Sequence, residues 1–272
     1  MCSKRFSYYT VIKIIRKMKD EEIIEIVTAR MDGKPIEYRQ NLWYKHWRKM
    51  HDDEEFNFNW YQYRIAKTKN SKTKRILLVV DCQYDFVTPN GSLFVKGSED
   101  LPERIAGIME RFDDIIFTLD WHPYNHCSFK ENGGQWPRHC VQYSKGASIP
   151  YILLNKLNSN QKYGFYKKGI KANKEEYGAF EQFENQVFLE LLLREGQPDA
   201  EQHDIYVCGV AGDYCVAETT KQLMELVHKS YYKNINKVYL MKNLCPCIDT
   251  AFDIEAFANE VGAKCVESKD VC

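Results

Sequence analysis

The sequence predicts an α/β fold: a three-layer, doubly wound, mainly parallel six-stranded sheet with a small α+β extension at its N-terminus. Three observations predict it. From residue 75 onward, strand-like runs alternate with segments of helical spacing. The first run, "RILLVVD", is continuously apolar, the pattern of a parallel strand buried on both faces. Finally, "KTKNSKTKR", residues 67–75, is polar and basic without apolar periodicity and reads as a linker between 1–74 and 75–272.

The elements follow in chain order. Before the linker, "EIIEIVTARMDGKPIEYR" (22–39) offers two strand-like runs about Asp32 and Gly33, suited to a hairpin turn. "NLWYKHWRKM" (41–50) reads as a helix and "FNFNWYQYRI" (56–65) as a half-buried strand. The Trp and Tyr residues of this module serve packing, docking or an oligomer interface. After the linker, strands are expected at "RILLVVD" (75–81), "IIFTLD" (115–120), "YGFYKK" (163–168), "DIYVCGV" (204–210), "KVYLMKN" (237–243) and "AKCVES" (263–268). Helices are expected at "LPERIAGIMERF" (101–112), "AFEQFENQVFLELLLREG" (179–196), "DYCVAETTKQLMELVHK" (213–229) and "DTAFDIEAFANEVG" (249–262).

Composition bounds the chemistry. The 272 residues carry 38 basic and 38 acidic side chains, so the formal net charge is zero. That balance argues against nucleic acid or an acidic membrane as partner and favours a small-molecule substrate. No apolar run approaches the length that spans a bilayer, and no secretory signal pattern opens the chain. Ten cysteines are scattered through a chain too large to need a disulfide scaffold. A reducing cytoplasm is therefore expected, with most of the thiols acting as small hydrophobes.

In a doubly wound sheet the chemistry gathers at the carboxyl ends of the strands. Asp81 ends the first expected strand, Asp120 the second and Lys168 the third, and Cys215 follows the fourth. Cys215 lies past a glycine-containing turn near a helix start, where unpaired N–H groups and the helix dipole favour a thiolate. It is read equally as a nucleophile and as a packed helix-start cysteine. Asp81 caps a turn or exchanges a proton with the thiol. Lys168 snorkels to solvent or places a cation beside thiolate and carboxylate. A second cluster lies in "TLDWHPYNHCSF" and "GGQWPRHCV". Asp120 and His122 alternate on an extended segment and His139 arrives after a loop, a set suited to zinc, iron or manganese with open positions. A four-ligand site from His126, Cys127, His139 and Cys140 is the second choice, because it leaves Asp120 without a role.

The motifs "DCQYDFVTPNGSLFVKG", "TLDWHPYNHCSF", "WPRHCV", "KKG…EEYGAF" and "GVAGDYCV" stand in the order and approximate spacing of one known family. Residues 75–272 resemble the nicotinamidase/pyrazinamidase family of isochorismatase-like cysteine hydrolases. The resemblance implies a catalytic triad of Asp81, Lys168 and Cys215 and a metal set of Asp120, His122 and His139. It implies a cis peptide bond at Ala211, with the backbone N–H groups of Ala211 and Cys215 forming an oxyanion hole. Phe86, Trp136 and Tyr177 match aromatic residues lining the family's pocket, and His126, close in sequence to the ligands, either contacts the metal directly, supports a ligand from behind, or faces solvent. The implied reaction is deamidation of nicotinamide, and of pyrazinamide as a further candidate, through a cysteine thioester. The implied cofactor is one divalent ion, zinc first and iron or manganese otherwise, and the implied context is NAD salvage.

Two departures carry expectations. Gly212 stands where the family commonly has a hydroxyl residue, so the turn before Cys215 is expected to be looser or to have rearranged hydrogen bonding. The segment 146–163 is lengthened and polar and is expected to alter a lid over the pocket. The rival readings are a cysteine amidohydrolase for a carbamoyl or ureido substrate, and a non-catalytic binding protein. The complete Asp120, His122 and His139 set counts against the first, and the intact triad against the second.

Overall fold

The structure, a computed structural model, describes residues 73–193, 201–228 and 232–271. The hairpin, helix and aromatic strand expected within 22–65 lie outside the described residues. Thr73–Leu189 and Gln202–Cys272 form one compact unit.

Six strands build a single sheet: β1 (Lys74–Val80), β2 (Asp114–Asp120), β3 (Lys162–Lys168), β4 (His203–Gly209), β5 (Ile235–Met241) and β6 (Lys264–Val266). Their order is β3-β2-β1-β4-β5-β6, and every neighbouring pair is parallel, so the sheet is wholly rather than mainly parallel. Ile76 to Val80 have no solvent exposure, as do Ile115 and Ile116 of the adjacent β2. Each such aliphatic side chain contributes roughly 1.5–3 kcal/mol of burial. The edge strand β3 instead exposes Tyr163 and Phe165.

Among the described residues six α-helices accompany the sheet: α1 (Tyr84–Val87), α2 (Leu101–Ala106), α3 (Tyr151–Leu154), α4 (Phe183–Leu192), α5 (Ala217–His228) and α6 (Ile254–Val261). Several are shorter than the apolar spacing predicts, for local reasons. The 101–112 segment leaves the α-helix at Gly107 and closes with a tight turn at Met109–Arg111. α6 starts at Ile254 because the Asp253 carboxylate caps it, accepting from the N–H groups of Glu255 and Ala256. No helix among the described residues is long and apolar enough to cross a membrane.

The connections out of β1 run toward β3, whereas those out of β4 run toward β6. The sheet therefore switches direction between β1 and β4, and the crevice beyond their carboxyl ends is where this topology binds ligands.

Candidate active site

Four strand ends meet in that crevice. Asp81 follows β1 with φ of 46°, a left-handed conformation uncommon outside glycine. Thr118 of β2 holds it there: the Asp81 N–H donates to Thr118 Oγ1 at 3.2 Å, and the same hydroxyl donates to Asp81 Oδ1 at 2.6 Å. Lys168 ends β3 with no solvent exposure. Its Nζ lies 2.8 Å from Asp81 Oδ2, pairs with Asp120 Oδ1, and reaches Cys215 Sγ at 3.5 Å. Cys215 sits in a wide helical turn, Gly212–Val216, between β4 and α5. The Val210–Ala211 peptide bond is cis.

The second oxygen of Asp120 faces two imidazoles, at 3.4 Å from His122 Nε2 and 3.7 Å from His139 Nε2. His122 Nδ1 lies 3.0 Å from the Gly169 carbonyl and His139 Nδ1 lies 2.8 Å from the Pro137 carbonyl. A carbonyl only accepts, so both Nδ1 atoms carry hydrogen and both Nε2 lone pairs turn inward beside the carboxylate. The three donor atoms lie within 4.8 Å of one another. One carboxylate and two imidazoles, each ring oriented by a backbone carbonyl, fit a divalent metal ion with coordination positions left for other ligands.

Gln83 anchors the set by donating to the Asp120 carbonyl and accepting from its N–H, both at 2.8 Å. His126 is buried and stacks on His122 with ring centroids 4.0 Å apart. Its Nδ1 meets Ser128 Oγ at 2.7 Å and its Nε2 meets the Lys174 carbonyl at 3.0 Å, so both nitrogens are engaged. Burial, with the neighbouring His122, lowers its pKa to about 4, which keeps it neutral. It packs behind the metal set and does not face solvent. Cys127 and Cys140 belong to none of the donor clusters among the described residues, which counts against the four-ligand alternative.

A pocket open at its mouth joins the two clusters. Its lining includes Cys215 and Ala211, Asp120 and His139, and the rings of Phe86, Trp136, Tyr177 and Tyr214. The Tyr177 hydroxyl accepts from Trp136 Nε1 at 3.0 Å, and Trp136 meets Tyr214 edge-on at 5.1 Å. Aromatic rings beside a thiol, a carboxylate and an imidazole suit a flat single-ring ligand.

The charges sort clearly. Burial alone would raise the Asp120 carboxyl, but Lys168, His122 and His139 hold it well below the usual range. Burial opposes the Lys168 charge, yet Asp120, Asp81 and Cys215 keep the ammonium firmly protonated. Burial pushes Asp81 up against the pull of Lys168. It also pushes the Cys215 thiol well above its ordinary value, with Asp81 and Asp120 adding to the effect and Lys168 opposing it. The helix-start setting favours a depressed thiol pKa, whereas desolvation of the buried site acts in the opposite direction and outweighs it.

Asp81, Lys168, Cys215, Ala211, Asp120, His122, His139, Phe86, Trp136, Tyr177 and His126 all lie in or against this crevice. Sequence reasoning missed Thr118, Gln83, Glu175, Tyr214 and Ile248, the last three of which line the cavity. Thr118 was within reach, since it stands two residues before Asp120 on the same face of β2. The lid expectation is corrected: no residue of 146–163 lines the cavity. The segment instead packs behind the site on α1, its Gly146 and Ser148 carbonyls accepting from the N–H groups of Asp85 and Tyr84 at 3.0 Å and its Ala147 carbonyl from Gln83 Nε2 at 2.8 Å. The turn at Gly212 is not loose either, because its N–H donates to the Pro246 carbonyl at 2.8 Å and Cys247 packs where a side chain would stand.

No family model matches the chain. Among characterised proteins, the nicotinamidase of Acinetobacter baylyi is 35% identical over 161 residues, covering 53% of this chain and 71% of the relative. PnC1 from L. infantum, solved in complex with nicotinate, is 31% identical with a TM-score of 0.60, covering 73% of this chain and 95% of that one. The pyrazinamidase of Pyrococcus horikoshii, solved in complex with zinc, is 33% identical with a TM-score of 0.54, covering 71% of this chain and 99% of that one. Structural similarity, an ordered series of motifs and this degree of identity lead to one assignment: the chain belongs to the nicotinamidase/pyrazinamidase family.

Proposed function

We propose that the protein hydrolyses nicotinamide to nicotinic acid and ammonia through a thioester on Cys215, within a hydrolase unit spanning 75–272. The observation that carries this reading is one small cavity lined at once by the Cys215 thiol, by Asp120 and His139, and by aromatic rings. A flat pyridine carboxamide fits that combination. The nicotinate bound to PnC1 from L. infantum, the acid that nicotinamide deamidation yields, adds support.

Asp81 takes the thiol proton as Sγ attacks the carboxamide carbon, so that the buried thiolate develops with attack rather than before it. The Lys168 ammonium offsets the negative charge passing between Sγ and the Asp81 carboxylate. The N–H groups of Ala211 and Cys215 receive the carbonyl oxygen as it becomes an oxyanion. Asp81 returns the proton to nitrogen as the C–N bond breaks, and ammonia leaves. Asp81 then deprotonates the water that cleaves the C–S bond, which releases nicotinic acid and restores the thiol. Phe86, Trp136 and Tyr177 hold the ring face-on and exclude water from it. A divalent ion held by Asp120, His122 and His139 supplies, when bound, a Lewis-acid anchor for the ring nitrogen. Zinc is the first choice, as in the Pyrococcus horikoshii pyrazinamidase.

Ammonia release from nicotinamide tests the proposal. Turnover by wild type, abolished in Cys215→Ala and after chelation, supports it. Metal-loaded wild type that cleaves a ureido or carbamoyl compound but not nicotinamide overturns the substrate. Failure with every amide overturns the activity.

A further inference from the structure

Glu176 lies outside the triad and the metal set, yet it touches the supports of both. It is 2% exposed, although its neighbours in the 170–176 loop are mostly open to solvent. Its Oε2 accepts the Gly169 N–H at 3.0 Å and also the Gln182 side-chain amide, while Oε1 pairs with Lys174 at 2.8 Å. Its backbone carbonyl accepts from Lys168 Nζ at 3.3 Å.

The peptide joining Lys168 to Gly169 is thereby gripped at both ends, since its carbonyl accepts the Trp121 N–H at 3.0 Å. The next carbonyl, that of Gly169, orients His122 Nδ1. Contact at this point is close. Gly169 has φ of 62°, and a Cβ there would stand 2.3 Å from His122 Cε1, so the imidazole rests directly on the loop backbone. A buried N–H without its acceptor would pull the loop toward another partner or toward water.

We propose that Glu176 is a positioning residue that sets Lys168 and His122 in register by fixing the peptide between Lys168 and Gly169. The proposal rests on the nicotinamidase reading for the roles of those two residues. The acceptor oxygen is the feature that matters, and the negative charge is secondary, because Lys174 is itself half in solvent.

Three variants separate reach from charge. Glu176→Gln keeps an oxygen where Oε2 stands and loses the ion pair, whereas Glu176→Asp keeps the charge and withdraws the oxygen by one methylene. Glu176→Ala loses both. Zinc affinity by chelator competition and the rate of Cys215 alkylation by iodoacetamide, followed by peptide mass spectrometry, are measured on the full chain. We expect the Asp and Ala variants to bind zinc about tenfold more weakly, as when a ligating histidine loses its orienting partner, and to alkylate at an altered rate. The Gln variant should restore both. If Ala does not fold, the Asp and Gln pair decides alone. Equal impairment of Gln and Asp, or wild-type values in all three, overturns the proposal. If wild type turns over no nicotinamide yet the Asp and Gln pattern holds, the positioning role stands and the substrate reading falls.

Discussion

Lys168 and Asp81 are in direct contact, Nζ to Oδ2 at 2.8 Å, and neither side chain is exposed to solvent. The same ammonium pairs with Asp120, so one cation serves the proposed base and the metal-facing carboxylate together. Lys168→Met should leave two buried carboxylates uncompensated, a change that typically costs about 3–5 kcal/mol. Urea unfolding checks the stability loss. Turnover should fall by about 10³-fold or more, since residues that act as a unit fail together.

Burial gives the Cys215 thiol a distinct reactivity profile. Its pKa is pushed well above the ordinary value by burial, so alkylation of the free enzyme should keep rising with pH beyond the point where an exposed cysteine levels off. Nicotinamide should protect the thiol. A plateau near neutral pH would mean a preformed thiolate.

Metal affinity and pH are linked through His122. Burial works against its charge, but Asp120 outweighs burial and raises its pKa above 6.5. In metal-free protein the raised pKa stabilises the fold below the unfolded value, and that contribution is lost as pH rises through the folded one. Metal binding needs the neutral imidazole, so protons compete with it. Both effects have the same consequence for the rise in Tm on adding zinc, which should grow between about pH 6 and about pH 8. Differential scanning calorimetry with and without zinc measures it.

Tyr177→Phe removes the oxygen that accepts from Trp136 Nε1 and from Gln135 Nε2. The expected loss of about 1 kcal/mol corresponds to roughly a fivefold increase in KM, with kcat little changed. Steady-state kinetics on nicotinamide separates the two constants.

Gly212→Ser should destabilise the protein. A Cβ at Gly212 would meet Cys247 Sγ at 2.5 Å and the Cys245 carbonyl oxygen at 2.6 Å, and the backbone atom cannot step aside. Overpacking of this kind costs about 1–3 kcal/mol. The double variant with Cys247→Ala should recover only part of the loss in a thermal melt.

The sheet and the site were legible in the sequence to different depths. The β1 and β2 runs stand out because both faces are covered, and Asp120 and Lys168 end their strands on the residues expected. Helix lengths were less legible, since Gly107 and the Asp253 cap decide where helices stop and start and apolar spacing runs past both. The family motifs point to Asp120, His122 and His139, but composition says nothing of Thr118 or Glu176, which make contacts 37 and 8 residues away in the chain. The pKa direction of Cys215 is not legible in sequence for a related reason. A helix start is local and visible in sequence, whereas the desolvation that outweighs it comes from the whole surrounding fold.

The position of β1 between β2 and β4 bears on how the protein is made. During synthesis Asp81, Asp120 and Lys168 emerge with the first three strands, and Cys215 arrives only after β4 has been translated. Until β4 pairs with it, the Ile76–Val80 edge of β1 stands open, an unpaired and wholly apolar ribbon of the kind that recruits other chains. A nascent chain stalled before residue 203 would therefore be inert and adhesive, and these are the molecules a ribosome-associated chaperone would have to shield.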